Sequence, residues 1–126
     1  MKEEYIEIKL PMPTSVNKAY CNSKKGRTKS DEYKGWEKLA FVELKKQTTY
    51  KIKWDEWLKA YYTFFTPLYY KNWKKKKEDL DNWIKTLQDF LWHNIKWFKD
   101  EYIKTIITEK IDSDKKIVKI LIKEIN

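Results

Sequence analysis

Four charged side chains between residues 79 and 100 have the types and spacing for metal-assisted chemistry. Asp79 and Asp81 lie at the start of a helical pattern, Lys85 follows one turn after Asp81, and Asp100 comes after the pattern ends. If the chain returns and brings Asp100 beside the other two, three carboxylates repel one another unless a divalent cation neutralises them. Oxygen ligands of this kind suit Mg²⁺ or Mn²⁺. Such a site in a basic protein fits phosphodiester cleavage, with Lys85 placed to stabilise the developing charge.

The same spacing also fits a solvated helix face without chemistry. Asp81, Lys85 and Asp89 recur every four residues, and such i,i+4 ion pairs stabilise a helix by about 0.2–0.5 kcal/mol each. Asp79 then only caps the helix. Spacing alone favours this second interpretation. Asp112 and Asp114 are not counted as ligands, because acidic residues in a predicted turn are typical of turn formers.

Composition excludes several other kinds of site. One cysteine, Cys21, and one histidine, His93, allow neither an internal disulfide nor a cysteine or multi-histidine metal centre. The longest uncharged stretch has 11 residues, whereas a membrane-spanning helix needs about 20. The acidic start at Glu3 and Glu4 does not fit a signal peptide. We therefore expect a cytoplasmic protein with no membrane partner.

The net charge of +9 is distributed unevenly along the chain. Basic segments over residues 67–78 and 104–126 enclose an acidic segment over residues 79–103. A strongly basic protein usually binds a polyanion, because each Lys or Arg placed on a phosphate releases condensed counterions. Nucleic acid is therefore the leading partner. A lysine-rich surface that only reflects an AT-rich genome is the alternative, since 27 of the 28 basic residues are lysines.

Hydrophobic patterning predicts one α+β domain over residues 1–126, in which helices pack on one small mixed sheet in the order β-α-β-α-β-β. The predicted elements are a strand at 5–10, a loop to about residue 30, a helix at 31–46, a central strand at 57–66, a basic connector at 69–77, a helix capped by Asp79, and strands at 103–111 and 116–122 that form a hairpin through residues 112–114. Pro11, Pro13 and Pro67 end the strands that precede them.

Both helices are predicted to bury one apolar face. The apolar positions are Tyr33, Trp36, Leu39, Ala40 and Leu44 in the first helix, and Leu80, Ile84, Leu87 and Leu91 in the second. The aromatic residues, 17% of the chain, pack in a core or interface or else stack on unpaired bases. Packing is the favoured interpretation, and Trp73 is its clearest exception because it lies inside the lysine run.

Several motifs in order resemble the RusA family of Holliday-junction resolvases, small nucleases common in phages and prophages. The turn LPMPTSVN at 10–17 is similar to the Pro-rich turn of that family, and GRT at 26–28 to its basic element. DLDN at 79–82 with Lys85 resembles its carboxylate helix start, and Asp100-Glu101 its later acidic pair. The chain departs from the family pattern at Met12, at Glu101, which replaces a second aspartate, and in the lysines that precede the carboxylate helix, where arginines are common.

The resemblance implies a homodimer that binds a four-way DNA junction and cuts two opposing strands symmetrically, with Mg²⁺, or Mn²⁺ as substitute, and no organic cofactor. Asp79, Asp81 and Asp100 would hold the metal ion, and Lys85 would be the catalytic lysine. The residues that would contact DNA phosphates are Lys18, Lys24, Lys25, Arg27, Lys74, Lys75, Lys76 and Lys77. The compartment would be the cytoplasm of a bacterium or of a phage-infected host.

Two other functions stay open at this point. One is a non-catalytic recombination accessory protein that binds branched DNA and uses its carboxylates only to cap and solvate a helix. The other is a nuclease that acts on flaps, forks or other branched DNA. Metal-dependent cleavage separates the first from a resolvase, and comparison of DNA substrates separates the second.

Overall fold

The computed structural model describes residues 5–23, 26–47, 57–95 and 98–125, without the side chains of Ser23 and Asp100. The helices and strands are β1 (Tyr5–Pro11), α1 (Val16–Ala19), β2 (Tyr20–Ser23), β3 (Gly26–Lys29), α2 (Asp31–Lys45), β4 (Leu58–Thr66), α3 (Leu80–Asn94), β5 (Ile103–Asp112) and β6 (Ile117–Glu124). A 3-10 turn, Asp100–Tyr102, precedes β5. The α+β class is confirmed, and the main helices and strands follow the predicted order.

The main sheet has four strands in the order β1-β6-β4-β5, with β4 and β5 parallel and the other neighbours antiparallel. The prediction of β4 as a central strand is confirmed. The predicted hairpin of β5 and β6 is wrong, because β4 lies between them. The connection from β4 through α3 makes β5 a parallel neighbour of β4. The following turn then passes the end of β4, where the Ser113 N–H donates to the Thr66 carbonyl at 3.1 Å.

The predicted loop before α2 is also wrong in part. It contains the short helix α1 and a two-stranded ribbon of β2 and β3, in which Cys21 pairs with Thr28. Gly26, the first residue of β3, has a φ of 100°, which glycine adopts without the steric cost of a side chain. This ribbon has too few residues to show a strong alternation, and therefore the sequence pattern did not reveal it.

One face of the main sheet forms the core with the helices. Strands β1, β4 and β6 alternate between buried and more exposed residues, the pattern of a sheet covered on one side. The buried strand residues are Ile6, Ile8, Leu10, Leu58, Ala60, Tyr62, Phe64, Val118, Ile120 and Ile122. Across the described ranges, no helix combines the length and apolar character of a membrane span.

Helix α2 begins where its sequence predicts. The Ser30 hydroxyl accepts the Tyr33 N–H at 3.2 Å and donates to the Lys18 carbonyl at 2.6 Å, so one side chain caps α2 and ties it to α1. Burial, followed by neighbouring groups that include Asp89, raises the pKa of the Tyr33 phenol, which keeps it neutral in the core. Leu39, predicted as apolar face, is instead 63% exposed.

Helix α3 buries a face rotated from the predicted stripe. Leu87 and Leu91 are buried as predicted, whereas Leu80 and Ile84 are only partly buried against the core. The other buried residues of the helix are Trp83, Thr86 and Phe90. Aromatic contacts account for the rotation: the Trp83 ring lies 5.3 Å from that of Phe64 on β4, and the Phe90 ring lies 5.0 Å from that of Trp36 on α2.

Candidate active site

The start of α3 holds two of the predicted metal ligands. Asp79 occupies the N-cap position, but its side chain makes no capping hydrogen bond, and Asp81 lies in the first turn. Both side chains are exposed. A carboxylate near a helix N-terminus is stabilised by the helix dipole, and here that carboxylate is not used to satisfy a backbone N–H. The interpretation of Asp79 as a capping side chain is therefore not supported by its contacts.

Asp81 and Lys85 line a surface cleft of about 440 Å³. The remaining lining residues are Val16, Asn82, Ile84, Gln88 and Asp89. In the described part of the chain, ion pairs within 4.0 Å join Lys29 to Glu37, Lys46 to Glu43 and Lys119 to Glu7. None joins Lys85 to Asp81 or Asp89.

The solvated-face interpretation required those i,i+4 pairs, so their absence removes its main support. Lys85 and Asp81 face the same cleft, and neither forms an ion pair with another described residue. Asp89 lies eight residues after Asp81, about 12 Å further along the helix axis. That separation is too large for Asp81 and Asp89 to bind one metal ion together.

The Pro-rich turn packs against α3 beside this cleft. Thr14 and Ser15 are both buried, and the Thr86 hydroxyl donates to the Thr14 carbonyl at 2.6 Å. Val16, at the start of α1, reaches the cleft itself. The Pro-rich turn is thereby fixed to the helix that carries Asp81 and Lys85. Thr14 and Thr86, whose hydrogen bond joins them, are 72 residues apart in the sequence.

We expect Thr86→Val to lower the free energy of unfolding by a measurable amount. The substitution keeps the shape of the side chain, but it leaves the buried Thr14 carbonyl without its donor, which costs about 1–3 kcal/mol. Urea unfolding followed by circular dichroism measures the loss. Thr86→Ser, which keeps the hydroxyl, serves as the control and is expected to retain most of the stability. Equal stability of Thr86→Val and the parent protein would show that the hydrogen bond does not hold the turn.

Asp100 lies beyond the other end of α3. It begins the 3-10 turn that leads into β5, whose first residue, Ile103, pairs with Leu58. The 15 residues of α3 extend about 22 Å, so the helix separates Asp100 from Asp79 along the chain. The side chain of Asp100 lies outside the described residues. No group of three or more His, Cys, Asp and Glu side chains that could hold a metal ion occurs among those that are described. The three-carboxylate site therefore stays a prediction.

The predicted phosphate-binding residues lie on three segments. Lys18 is exposed on α1, two residues after Val16 of the cleft. Arg27 is exposed on β3, with its guanidinium 4.6 Å from the centre of the Tyr20 ring. Lys74, Lys75, Lys76 and Lys77 are all exposed on the segment before α3. Lys24 and Lys25 lie outside the described residues.

Two residues outside the predicted site hold the lysine segment in place. Lys110 of β5 donates to the Glu78 carbonyl at 2.7 Å and lies 5.9 Å from the centre of the Trp83 ring. The Asp112 carboxylate accepts the Leu68 N–H at 2.9 Å. Asp112 therefore has a structural role, as its expected position in a turn implied, but its partner is the segment before α3. No local sequence signal identified Lys110, because polar and apolar residues do not alternate strictly along β5 and so do not distinguish the two faces of the strand.

Fold and cleft together define a small α+β domain. Carboxylate and lysine side chains at one helix start form no ion pair among the described residues, and exposed basic residues lie on three segments. The family model described as endodeoxyribonuclease RusA matches residues 10–123. The chain therefore belongs to the RusA endodeoxyribonuclease family. A search of curated proteins finds none that matches this chain.

Proposed function

We propose that this protein is a metal-dependent endonuclease that resolves four-way DNA junctions by paired, symmetrical nicks. The observation that carries the proposal is the cleft in which Asp81 and Lys85 lie together without an ion pair, in a chain that the RusA model matches from residue 10 to 123. Opposite charges that form no ion pair among the described residues suit a substrate that is an anion and that binds together with a metal cation.

The donor atoms at the start of α3 fit Mg²⁺ in kind. Asp79 and Asp81 offer carboxylate oxygens, the ligands that Mg²⁺ prefers, and neither is committed to a capping hydrogen bond or an ion pair among the described residues. In the proposal these two residues would hold the ion, and Asp100, which begins the turn beyond the other end of α3, stays the predicted third ligand. When bound, Mg²⁺ supplies activation of a water molecule and neutralisation of charge on the scissile phosphate.

Lys85 has a separate role in the proposal. Its ammonium group lies one helical turn from Asp81 and lines the same cleft, where it is available to a phosphate oxygen. A cation held there stabilises the negative charge that grows as the phosphodiester bond breaks. Lysine binds phosphate as a point charge rather than through the two-pronged geometry of arginine, which suits a charge-stabilising role more than a base-reading one.

The exposed basic residues would bind DNA without reading its sequence. Lys18, Arg27 and the lysines at 74–77 are placed for phosphate contacts, which position a nucleic acid and leave base identity unread. Paired cuts in opposing strands require two active sites, and a homodimer with two-fold symmetry matches the symmetry of a four-way junction. The proposed active form is therefore a homodimer.

A cleavage assay on defined DNA tests the proposal. Purified protein is incubated with a labelled synthetic four-way junction in Mg²⁺ or in EDTA, and the products are resolved on a denaturing gel. Paired nicks in opposing strands that require Mg²⁺ are expected. A fork and a linear duplex of the same sequence are cut in parallel, and faster cleavage of either one would assign the nuclease to a different DNA structure. Tight junction binding without cleavage in Mg²⁺ or Mn²⁺ would instead identify an accessory protein.

Lys85→Met separates the role of the lysine from DNA binding. We expect cleavage to fall about 100-fold, the scale of losing one preorganised charge-stabilising group, while junction binding in EDTA changes little. Lys38→Met, which removes an exposed lysine from α2, is the matched control and is expected to cut at the parent rate. Equal rates for the two variants would exclude Lys85 from catalysis.

A further inference from the structure

The connection between β4 and α3 contains a short ordered hairpin, which we call the 68–76 hairpin. The Lys76 N–H donates to the Leu68 carbonyl at 2.8 Å, and Tyr69 pairs with Lys75 in an antiparallel bridge. Nearer the tip, the Tyr70 N–H donates to the Lys74 carbonyl at 2.9 Å. These bonds give the segment a fixed backbone shape, although the sequence suggested only a basic connector.

Trp73 is held at the tip of this hairpin and faces solvent. Its side chain is 79% exposed, more than any other large apolar side chain in the described ranges. Its φ is 65°, a left-handed conformation that bulky residues rarely adopt. The Trp73 N–H donates to the Tyr70 carbonyl at 2.9 Å, so the backbone is fixed in this conformation. Residues held in sparsely populated backbone conformations concentrate at functional sites.

The surroundings of the ring favour a nucleic-acid partner. Five exposed lysines, Lys71, Lys74, Lys75, Lys76 and Lys77, lie in or beside the hairpin, and residues 68–76 include no acidic side chain. The Tyr69 ring lies 6.3 Å from the Trp73 ring. An aromatic ring among cations matches the two features of a nucleic acid, a flat base face and a phosphate chain.

The hairpin is also tied close to the proposed active site. Its base residue Leu68 donates to Asp112, and the carbonyl of Glu78, two residues past the hairpin, accepts from Lys110. Trp73 precedes the N-cap Asp79 by six residues, so their Cα atoms lie within about 20 Å. A DNA strand with its phosphate at the cleft therefore passes within reach of the hairpin.

We propose that Trp73 stacks on an uncovered base at the branch point of DNA, while the lysines of the 68–76 hairpin hold the flanking phosphates. A branch point, unlike continuous duplex, leaves a base face without a stacking neighbour. The inference rests on the proposed function for the class of ligand, branched DNA, and adds the element that recognises the branch.

Binding to a junction in EDTA tests this without any need for cleavage. The junction carries 2-aminopurine at the crossover, a fluorescent base whose emission responds to its stacking neighbour. Trp73→Gly removes the ring and accepts the left-handed φ of the tip, so the hairpin keeps its shape. We expect Trp73→Gly to bind about 5- to 100-fold more weakly, the range for one lost base stack, and to lose the emission change. Trp73→Phe is expected to recover most of both signals.

Salt dependence distinguishes stacking from charge. Trp73→Gly is expected to leave the slope of log K against log salt concentration unchanged, because it removes no cation. Lys74→Ala is expected to reduce that slope by about one. Trp92→Ala, which removes another exposed tryptophan, 52% exposed near the end of α3, is the matched control and is expected to bind like the parent protein.

Three outcomes overturn the inference. Parent-like affinity and emission with Trp73→Gly would remove the stacking role while leaving the proposed nuclease intact. Trp73-dependent binding to vesicles of anionic lipid, with junction binding independent of Trp73, would assign the hairpin to a membrane surface. No junction binding by the parent protein would overturn both proposals. A Trp73-dependent emission change without cleavage in Mg²⁺ would retain the stacking role and reject the nuclease.

Discussion

Replacing Asp81 by asparagine is expected to abolish Mg²⁺-dependent cleavage of a four-way junction and to leave junction binding intact. A carboxylate that holds a catalytic metal ion supports several kcal/mol of charge stabilisation, so a loss of about 10³-fold or more in rate is expected. Asp81 is exposed and makes no ion pair within the described ranges, and the substitution keeps its shape. Binding in EDTA should be equal or tighter, because one negative charge facing the DNA is lost.

The control for Asp81→Asn is Asp31→Asn. Asp31 is also exposed and lies in the first turn of its own helix, α2, so both substitutions remove the same favourable interaction with a helix dipole, worth about 0.3–1 kcal/mol. Unfolding in urea should therefore show similar small losses for the two variants, while only Asp81→Asn loses cleavage. Parent-like cleavage by Asp81→Asn would remove Asp81 from the active site.

The largest loss of stability is expected from Phe90→Ala. Phe90 is 1% exposed, and its ring packs edge to face on Trp36 at 5.0 Å. The Trp36 indole N–H in turn donates to the Pro11 carbonyl at 3.0 Å, so these side chains join α3, α2 and the end of β1. Truncation leaves a cavity at this junction and costs about 3–5 kcal/mol. That is a large part of the total of about 5–15 kcal/mol that stabilises a typical domain.

Equilibrium urea unfolding measures this loss, and Phe41→Ala is the matched control. Phe41 is also a phenylalanine in a long helix, but it is 44% exposed and contacts the Lys45 ammonium at 5.1 Å from its ring centre. Its truncation is expected to change stability by no more than about 0.5–1 kcal/mol. A loss for Phe90→Ala as small as that for Phe41→Ala would contradict the packing of α3 on α2.

Local sequence signals predicted where most helices and strands begin and end. Pro11 and Pro67 mark the ends of β1 and β4, and Ser30 and Asp79 stand at the N-caps of α2 and α3. These signals are local: a proline cannot donate to a strand neighbour, and a short polar side chain suits the residue before a helix. The motifs around the carboxylates were equally local, and they predicted the family that the match over residues 10–123 shows.

The candidate site was predicted as a set of residues but not as an arrangement. Spacing placed Asp81 and Lys85 one turn apart, and this fits an ion pair as well as a cleft. The structure shows the cleft without the pair. Whether two such side chains pair depends on what packs beside the helix. Here that neighbour is Val16 of the Pro-rich turn, which is distant from α3 in the sequence.

Which strands are neighbours, and which contacts the connections make, became clear from the folded structure. The order that puts β4 between β5 and β6, the bond from Thr86 to Thr14, and the bond from Leu68 at the base of the 68–76 hairpin to Asp112 all depend on contacts across the fold. A hydrophobic pattern predicts which face of a strand is buried, but it does not predict which backbone groups far apart in the sequence form hydrogen bonds with each other. Those pairings depend on the packing of the whole domain, because a buried backbone N–H or C=O group is costly without a hydrogen-bond partner.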